Sequence, residues 1–336
     1  MNEACFGGRM RRRYFITLLG ESKPSRWAVD ARIEEMQCRA APNATRYDAS
    51  LTKASICAGC CLLLLLVMIL RPTVASSQEA SPRDQGNAGE DSFRPPTNLF
   101  QMMYQYRTSP GSGTTTGSIT EVTTEMLNLR YDHAVDLAPM WILALRSDLP
   151  LLGRDPISSS NPDGNYLYGV GDADIQAVII HNLSQRWAVG FGARLIAPTG
   201  GDTFGSGKWQ IMPIVGARYA LWEINSSSYF EPMVRYDASI AGDPTKRNIS
   251  NVQFRPTFNL GLPDQWFITF YPSADIRVNL GDPVTGQTGR LFLPFDARVG
   301  RKLSDNAALS FELGVPIIKD YPVYNIKTQV RLNITF

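Results

Sequence analysis

Arginine is the residue type most regularly placed to do chemistry in this 336-residue chain. Nearly every segment beyond residue 100 contributes one: Arg107, Arg130, Arg146, Arg194, Arg218, Arg235, Arg255, Arg277, Arg298 and Arg331, joined by Lys327. Carboxylates accompany them at Asp132, Asp148, Asp174, Glu231, Asp237, Asp275, Asp296 and Glu312. Several lie two residues from an arginine, as in Arg235/Asp237, Asp275/Arg277 and Asp296/Arg298. Guanidinium groups hold oxyanions through a planar fork of donors, so this set is suited to binding. Carboxylates scattered one per segment offer no recognisable acid/base pair. His181-Asn182-Leu183-Ser184 brings together residue types used by hydrolases, but His181 shares its side of the chain with Ile175 and Ile179 and sits beside a turn. An interfacial histidine is the simpler reading. The chain is expected to be no enzyme and to need no cofactor or metal.

All five cysteines precede residue 62, and the CxxC at Cys57–Cys60 runs straight into Leu62–Leu66, where no metal site or redox helix is expected. Between Lys53 and Arg71 the chain is uncharged and rich in leucine. That run is short for a membrane helix, which needs about 20 residues, but fits the core of a signal peptide. Pro72 and the small-residue site Val74-Ala75-Ser76 follow at the right distance, which predicts a signal peptide over 51–76. Residues 1–50 are mixed, Arg-rich and unpatterned, and are expected to be a disordered extension or to precede a true translation start near Met36 or Leu51. A membrane-anchored protein with a cytoplasmic tail is the competing reading. Residues 77–96 are polar and rich in Pro and Gly, and predict a flexible linker. Removal of the leader would leave no cysteine, which suits an exported protein without disulfides.

From residue 97 to 336 the side chains alternate with period two, as strands between two environments require. At the end of the chain Tyr324, Ile326, Thr328, Val330, Leu332, Ile334 and Phe336 fall on one face, with Asn325, Lys327, Gln329, Arg331, Asn333 and Thr335 on the other. Such a run is long for a globular strand, which averages about 5–6 residues, and suits a barrel strand in a membrane, which needs about 9–11. The same pattern recurs at 187–195, 230–240, 252–260 and 266–280, and more weakly at 98–107, 122–132, 139–149, 173–182, 208–220, 290–302 and 307–315. These segments predict an all-β transmembrane antiparallel barrel of about twelve strands. A soluble β-sandwich would alternate too. Against it stand the segment lengths, the export signal and the aromatic residues near segment ends, which match the girdles of membrane barrels. Connections after odd segments are long (108–119, 150–172, 198–207, 241–250, 281–289, 316–322) and most of those after even ones are short, the expected asymmetry of outer loops and periplasmic turns.

Gly169-Val-Gly171-Asp172, Ala197-Pro198-Thr199-Gly200 and Gly205-Ser-Gly207-Lys208-Trp209 follow one another at a spacing that resembles the outer-membrane transporter family named for the meta-pathway of phenol degradation. The resemblance covers the barrel segment only. It implies a Gram-negative outer-membrane barrel associated with passage of small, often aromatic compounds. Read by themselves, the glycines shape loops at the barrel mouth; GVGD opens no helix, so a nucleotide cradle has no support.

With lipid on the apolar face, the polar face lines the interior. The expected pore-lining set is Arg107, Arg130, Arg146, Arg194, Arg218, Glu231, Arg235, Asp237, Arg255, Asp275, Arg277, Asp296, Arg298, Glu312, Lys327 and Arg331, and Phe336 ends the chain as the assembly signal. The whole chain carries 33 Lys+Arg against 31 Asp+Glu, but residues 97–336 hold 20 and 21, so no basic footprint for nucleic acid exists. The expected partners are outer-membrane lipid, the barrel assembly machinery and small-molecule solutes. Two uses of the inner charges compete: a mildly positive lumen favouring small anions, or pairs that hold a plugged structural or adhesive barrel shut.

Overall fold

The computed structural model describes residues 91–115, 118–158, 161–273 and 276–336. The expected extension, the signal peptide, the linker up to residue 90 and Asp275 lie outside the described residues. Fourteen strands form one antiparallel sheet: β1 Asn98–Thr115, β2 Ser118–Ala138, β3 Trp141–Arg154, β4 Leu167–Val170, β5 Asp174–Asn182, β6 Trp187–Ile196, β7 Lys208–Ala220, β8 Tyr229–Gly242, β9 Ser250–Gly261, β10 Trp266–Phe270, β11 Ile276–Asn279, β12 Leu291–Ser304, β13 Ala307–Lys319 and β14 Ile326–Thr335. β4 and β5 both pair with β3 and share one crossing. β10 and β11 both pair with β9 and β12 and share another. The sheet therefore has twelve crossings, and the pairing of β1 with β14 closes it. The predicted antiparallel barrel is borne out. Closure also removes the two free edges that would otherwise leave backbone groups unpaired.

Sidedness is inverted relative to a soluble protein. Val330, Phe311, Val299, Phe254, Val215 and Phe191 stand exposed on the outer face, while Asp296, Glu312, Arg298 and Arg218 are among the most buried groups. A soluble domain hides the first set and shows the second. In lipid the arrangement is the favourable one. The short turns at 138–141, 182–187, 261–266 and 304–307 share one end, the turn end, with Asn98 and Phe336. There the Asn98 amide donates to the Phe336 carbonyl (3.1 Å), and the Phe336 N–H donates to the Asn98 carbonyl (3.3 Å), which clips the seam shut. Aromatic rings ring that end: Trp141 stacks on His181 at 4.1 Å, and Trp187 packs at a tilt against Tyr219 at 4.5 Å. In the 220–229 turn, the hydrogen bond from Arg186 holds the Glu223 carboxyl below its ordinary value.

Three sequence expectations need correction. The loop expected at 108–119 is largely strand, since β1 and β2 stay paired out to Thr115 and Ser118. At 18 and 21 residues these strands are well past the ~9–11 a membrane requires, so their hairpin stands clear of it. The strand expected over 266–280 is broken after Phe270. Pro272 has no N–H for the ladder, Tyr271 takes φ 52°, and the chain turns inward, with Pro272 buried instead of facing lipid. Tyr324, expected on the outer face, precedes β14 and packs edge-on against Phe292 (4.9 Å) inside the loop end.

The outward face predicts a depth-dependent cost for charge. Val330→Arg, at the middle of β14, is expected to lower the unfolding free energy in lipid vesicles by ~2–4 kcal/mol; urea titration with heat-shifted gel mobility as the readout checks it.

Candidate functional site

Residues that face inward on neighbouring strands meet directly, and the register decides which charges touch. Arg130 of β2 lies opposite Asp148 of β3, and Asp132 opposite Arg146. Arg130 Nε reaches Asp148 at 2.7 Å, and Arg146 holds Asp132 with two donors at 2.8 and 2.7 Å. Arg194 of β6 lies opposite Gln176 of β5, bonds it at 2.8 and 3.2 Å, and comes within 3.5 Å of Asp174. Opposite charges set directly across a strand pair stabilise it, and pairing is what permits charge in a desolvated interior.

Across the barrel a second network gathers on Lys327 of β14. Its Nζ donates to Asp296 at 2.9 Å and to Glu312 at 2.5 Å, and also to Ser273 Oγ at 2.9 Å. Ser273 in turn donates to Glu312. Ser273 belongs to the inward break after β10, so the irregular chain is held by the same ion cluster. Arg331 lies 3.9 Å from Glu312, and Arg298 directly opposite it in the register.

The third inner structure was not foreseen. Residues 91–94, the end of the segment expected to be a flexible linker, lie inside the barrel. Asp91 pairs with the fully buried Arg218, while its other oxygen accepts the N–H groups of Phe93 (3.0 Å) and Arg94 (3.1 Å). Ser92 N–H donates to Glu231 at 3.2 Å, and Glu231 pairs with Arg255 at 3.2 Å. Phe93 fills an apolar cluster with Ile142, Val178, Ile180, Ile214 and Met233. Gly190 and Gly216 make room for its ring: a Cβ there would sit 2.7 and 2.9 Å from it. An Asp and a Phe two residues apart are weak signals alone. The Asp-Ser-Phe run beside glycines on two inward faces could have been noticed only with the register in hand.

Between these groups lies a cavity of about 290 Å³. Arg107, Arg130, Arg146, Arg194, Arg235, Arg255, Arg277, Arg298, Lys327 and Arg331 line it, with Glu231 and Asp237. Arg218, Asp296 and Glu312 are buried behind it. Of the expected lining residues, twelve border the cavity, and Arg218, Asp296 and Glu312 do not. Paired carboxylates sit largely toward the wall and guanidinium groups toward the space. Ser92 contributes from the strap of residues 91–94, and Pro272, Ser273, Val323 and Tyr324 from other irregular chain.

The glycine motifs form a lock at the loop end. Asp172 accepts the N–H groups of Gly200 (3.1 Å) and Ser206 (2.6 Å) and the Ser206 hydroxyl (2.6 Å), while Thr199 Oγ donates to the Gly171 carbonyl at 2.8 Å. A Cβ on Gly205 would lie 2.5 Å from the Asp172 carboxylate and one on Gly200 2.6 Å from Gly205, so the two loops touch only because neither residue has one. Residues 105–262, just under half the chain, match the model of the family described as MetA-pathway of phenol degradation. The match bears out the family likeness. It takes in β2 to β9 and the whole of the lock. No curated protein sequence matches the chain. Among solved structures, the KdgM porin is similar at 10% identity and TM-score 0.37, over 70% of this chain and 99% of that one. The translocator domain of the autotransporter NalP from Neisseria meningitidis gives 11% and 0.41, over 88% and 100%, and the Ralstonia pickettii toluene transporter TbuX 8% and 0.39, over 74% and 92%.

His181 lies against Trp141 at the turn-end rim, where its Nδ1 is buried without a hydrogen-bond partner. The strap yields a sharper test. Arg218→Ala leaves the Asp91 carboxylate buried without its cation, and is expected to cost ~3–5 kcal/mol in vesicle unfolding unless the strap lets go; release would show as new protease cleavage near residue 91.

Proposed function

We propose that the protein is a Gram-negative outer-membrane channel or transporter through which small molecules pass by diffusion, with small anionic or aromatic compounds favoured. One observation carries the reading: a lipid-facing barrel encloses a cavity whose lining holds ten cationic side chains against the carboxylates of Glu231 and Asp237. Positive lining in a low-dielectric wall concentrates anions and repels cations. Lipid contacts the outer face, Phe336 serves the assembly machinery, and solutes are the functional partners. No acid/base pair or nucleophile is called upon, so the protein acts without catalysis or cofactor.

A second reading has its own support. Phe93 and its apolar neighbours occupy the turn end of the lumen, as a plugged structural or adhesive barrel would require. The two readings part in liposome swelling. A channel swells liposomes with small carboxylates and sugars, and Asp91→Ala, which unfastens the strap from Arg218, is expected to speed swelling severalfold. A plugged barrel gives no swelling in either form. Reversal potentials under a salt gradient are expected to show anion preference; cation selectivity would remove that part of the proposal.

A further inference from the structure

Most of the inner cations have a visible reason to be where they are. Arg130, Arg146, Arg194, Arg218 and Arg255 each meet a carboxylate, and Lys327 meets two. Arg107 does not. Among the described residues its side chain makes no hydrogen bond or ion pair, and its Nε is buried without a partner. The charges that act on it are those of Arg154 and Arg277. The register adds another: Lys327 lies directly opposite Arg107 on β14, and Arg154 stands beyond Thr124 on the other side.

The carboxylates that adjoin Lys327 and Arg154 are already engaged. Asp296 and Glu312 are bound by Lys327, and Asp155 accepts the Thr123 N–H at 2.6 Å. Arg154 is tied to the Thr203 carbonyl at 2.7 Å, so its own head is turned to the loop. A guanidinium held among like charges in a desolvated wall is costly unless an anion joins it. The cavity it faces is about 290 Å³, near the lower end of the range for small-ligand sites. The same cavity has apolar walls from Met103, Met126, Val323 and Tyr324.

We propose that Arg107 anchors an anion-binding site in the lumen, which takes a small organic monocarboxylate with an apolar body. The carboxylate would accept two parallel donors from the Arg107 fork, with Arg277 of β11 adding charge, and the apolar body would lie against the Met and Tyr324 side chains. This deepens the transport reading, on which its biological meaning rests, by naming what the lumen holds.

Calorimetric titration of the purified full barrel in detergent tests it, with benzoate as probe and benzamide as its neutral counterpart. Benzoate is expected to bind saturably and at least tenfold more tightly than benzamide. Arg107→Gln is expected to weaken benzoate at least tenfold while leaving benzamide unchanged. Arg107→Lys, which keeps the charge but loses the fork, should fall between. Heat-shifted mobility verifies that each variant is a folded barrel, and Arg107→Lys carries the test if Arg107→Gln does not fold. Equal binding of benzoate and benzamide, no saturable binding, or variants indistinguishable from the parent would overturn the site. Swelling without Arg107-dependent binding removes the site and leaves the channel; Arg107-dependent binding without swelling does the reverse.

Discussion

A backbone amide in hydrocarbon has no water to bond with, and this constraint governs the rest of the molecule. Each N–H and C=O in the membrane must find a partner within the sheet, so the sheet has to close. Closure is made between the two ends of the barrel segment, β1 and β14, and is clipped by Asn98 and Phe336. Once the sheet is closed, period-two alternation leaves only two places for a side chain. Apolar groups go out to lipid and polar ones go in, so the charge of the interior follows from the geometry of the wall.

A charged interior creates its own demand. Buried ions are tolerated when opposed and hydrogen-bonded, and left alone they destabilise. The wall answers mostly by register: Arg130 opposite Asp148 and Asp132 opposite Arg146 need no chain outside the strands. Arg218 is answered differently. The carboxylate it holds comes from Asp91, which enters from before the first strand, and the strap's own amides complete the shell around Asp91 and Glu231. The strap is therefore bound to the barrel by charge and not only by the apolar fit of Phe93. That distinction matters for the proposed transport. An apolar plug resists every solute alike, whereas an ion-paired one responds to anions and cations that compete for its partners.

Much of the wall was legible in the sequence because each strand reports its two environments residue by residue. The twelve crossings, the turn end, the inward arginines and the glycine loops could all be read from spacing. What escaped was whatever does not alternate. Pro272 sits at an outward position by parity, yet its missing N–H breaks the strand and sends the chain inward. Tyr324 has outward parity too, but the strand begins only at Ile326. The β1–β2 hairpin continues past Pro110, where composition suggested a loop, because after a shift in register the two strands pair again at Thr114 and Thr115. The strap ends a polar, Pro- and Gly-rich segment, the signature of a linker, and its burial depends on Arg218 and two glycines far away in sequence.

These exceptions share a location. The strap, the break at 271–273 and the segment at Val323–Tyr324 all reach the cavity, and all are irregular chain. A twelve-stranded wall of alternating residues would by itself enclose a uniform polar tube, with charges neutralised pair by pair across strands. The insertions turn that tube into a chamber. The strap brings in Ser92 and fixes Glu231, and the break brings in Ser273 to share Lys327 with Asp296 and Glu312. With Lys327 and its acids drawn together, Arg107 across the register is left facing open space without a counterion. The regular strands thus supply the positive charge, and the irregular segments decide which part of it stays available to a solute.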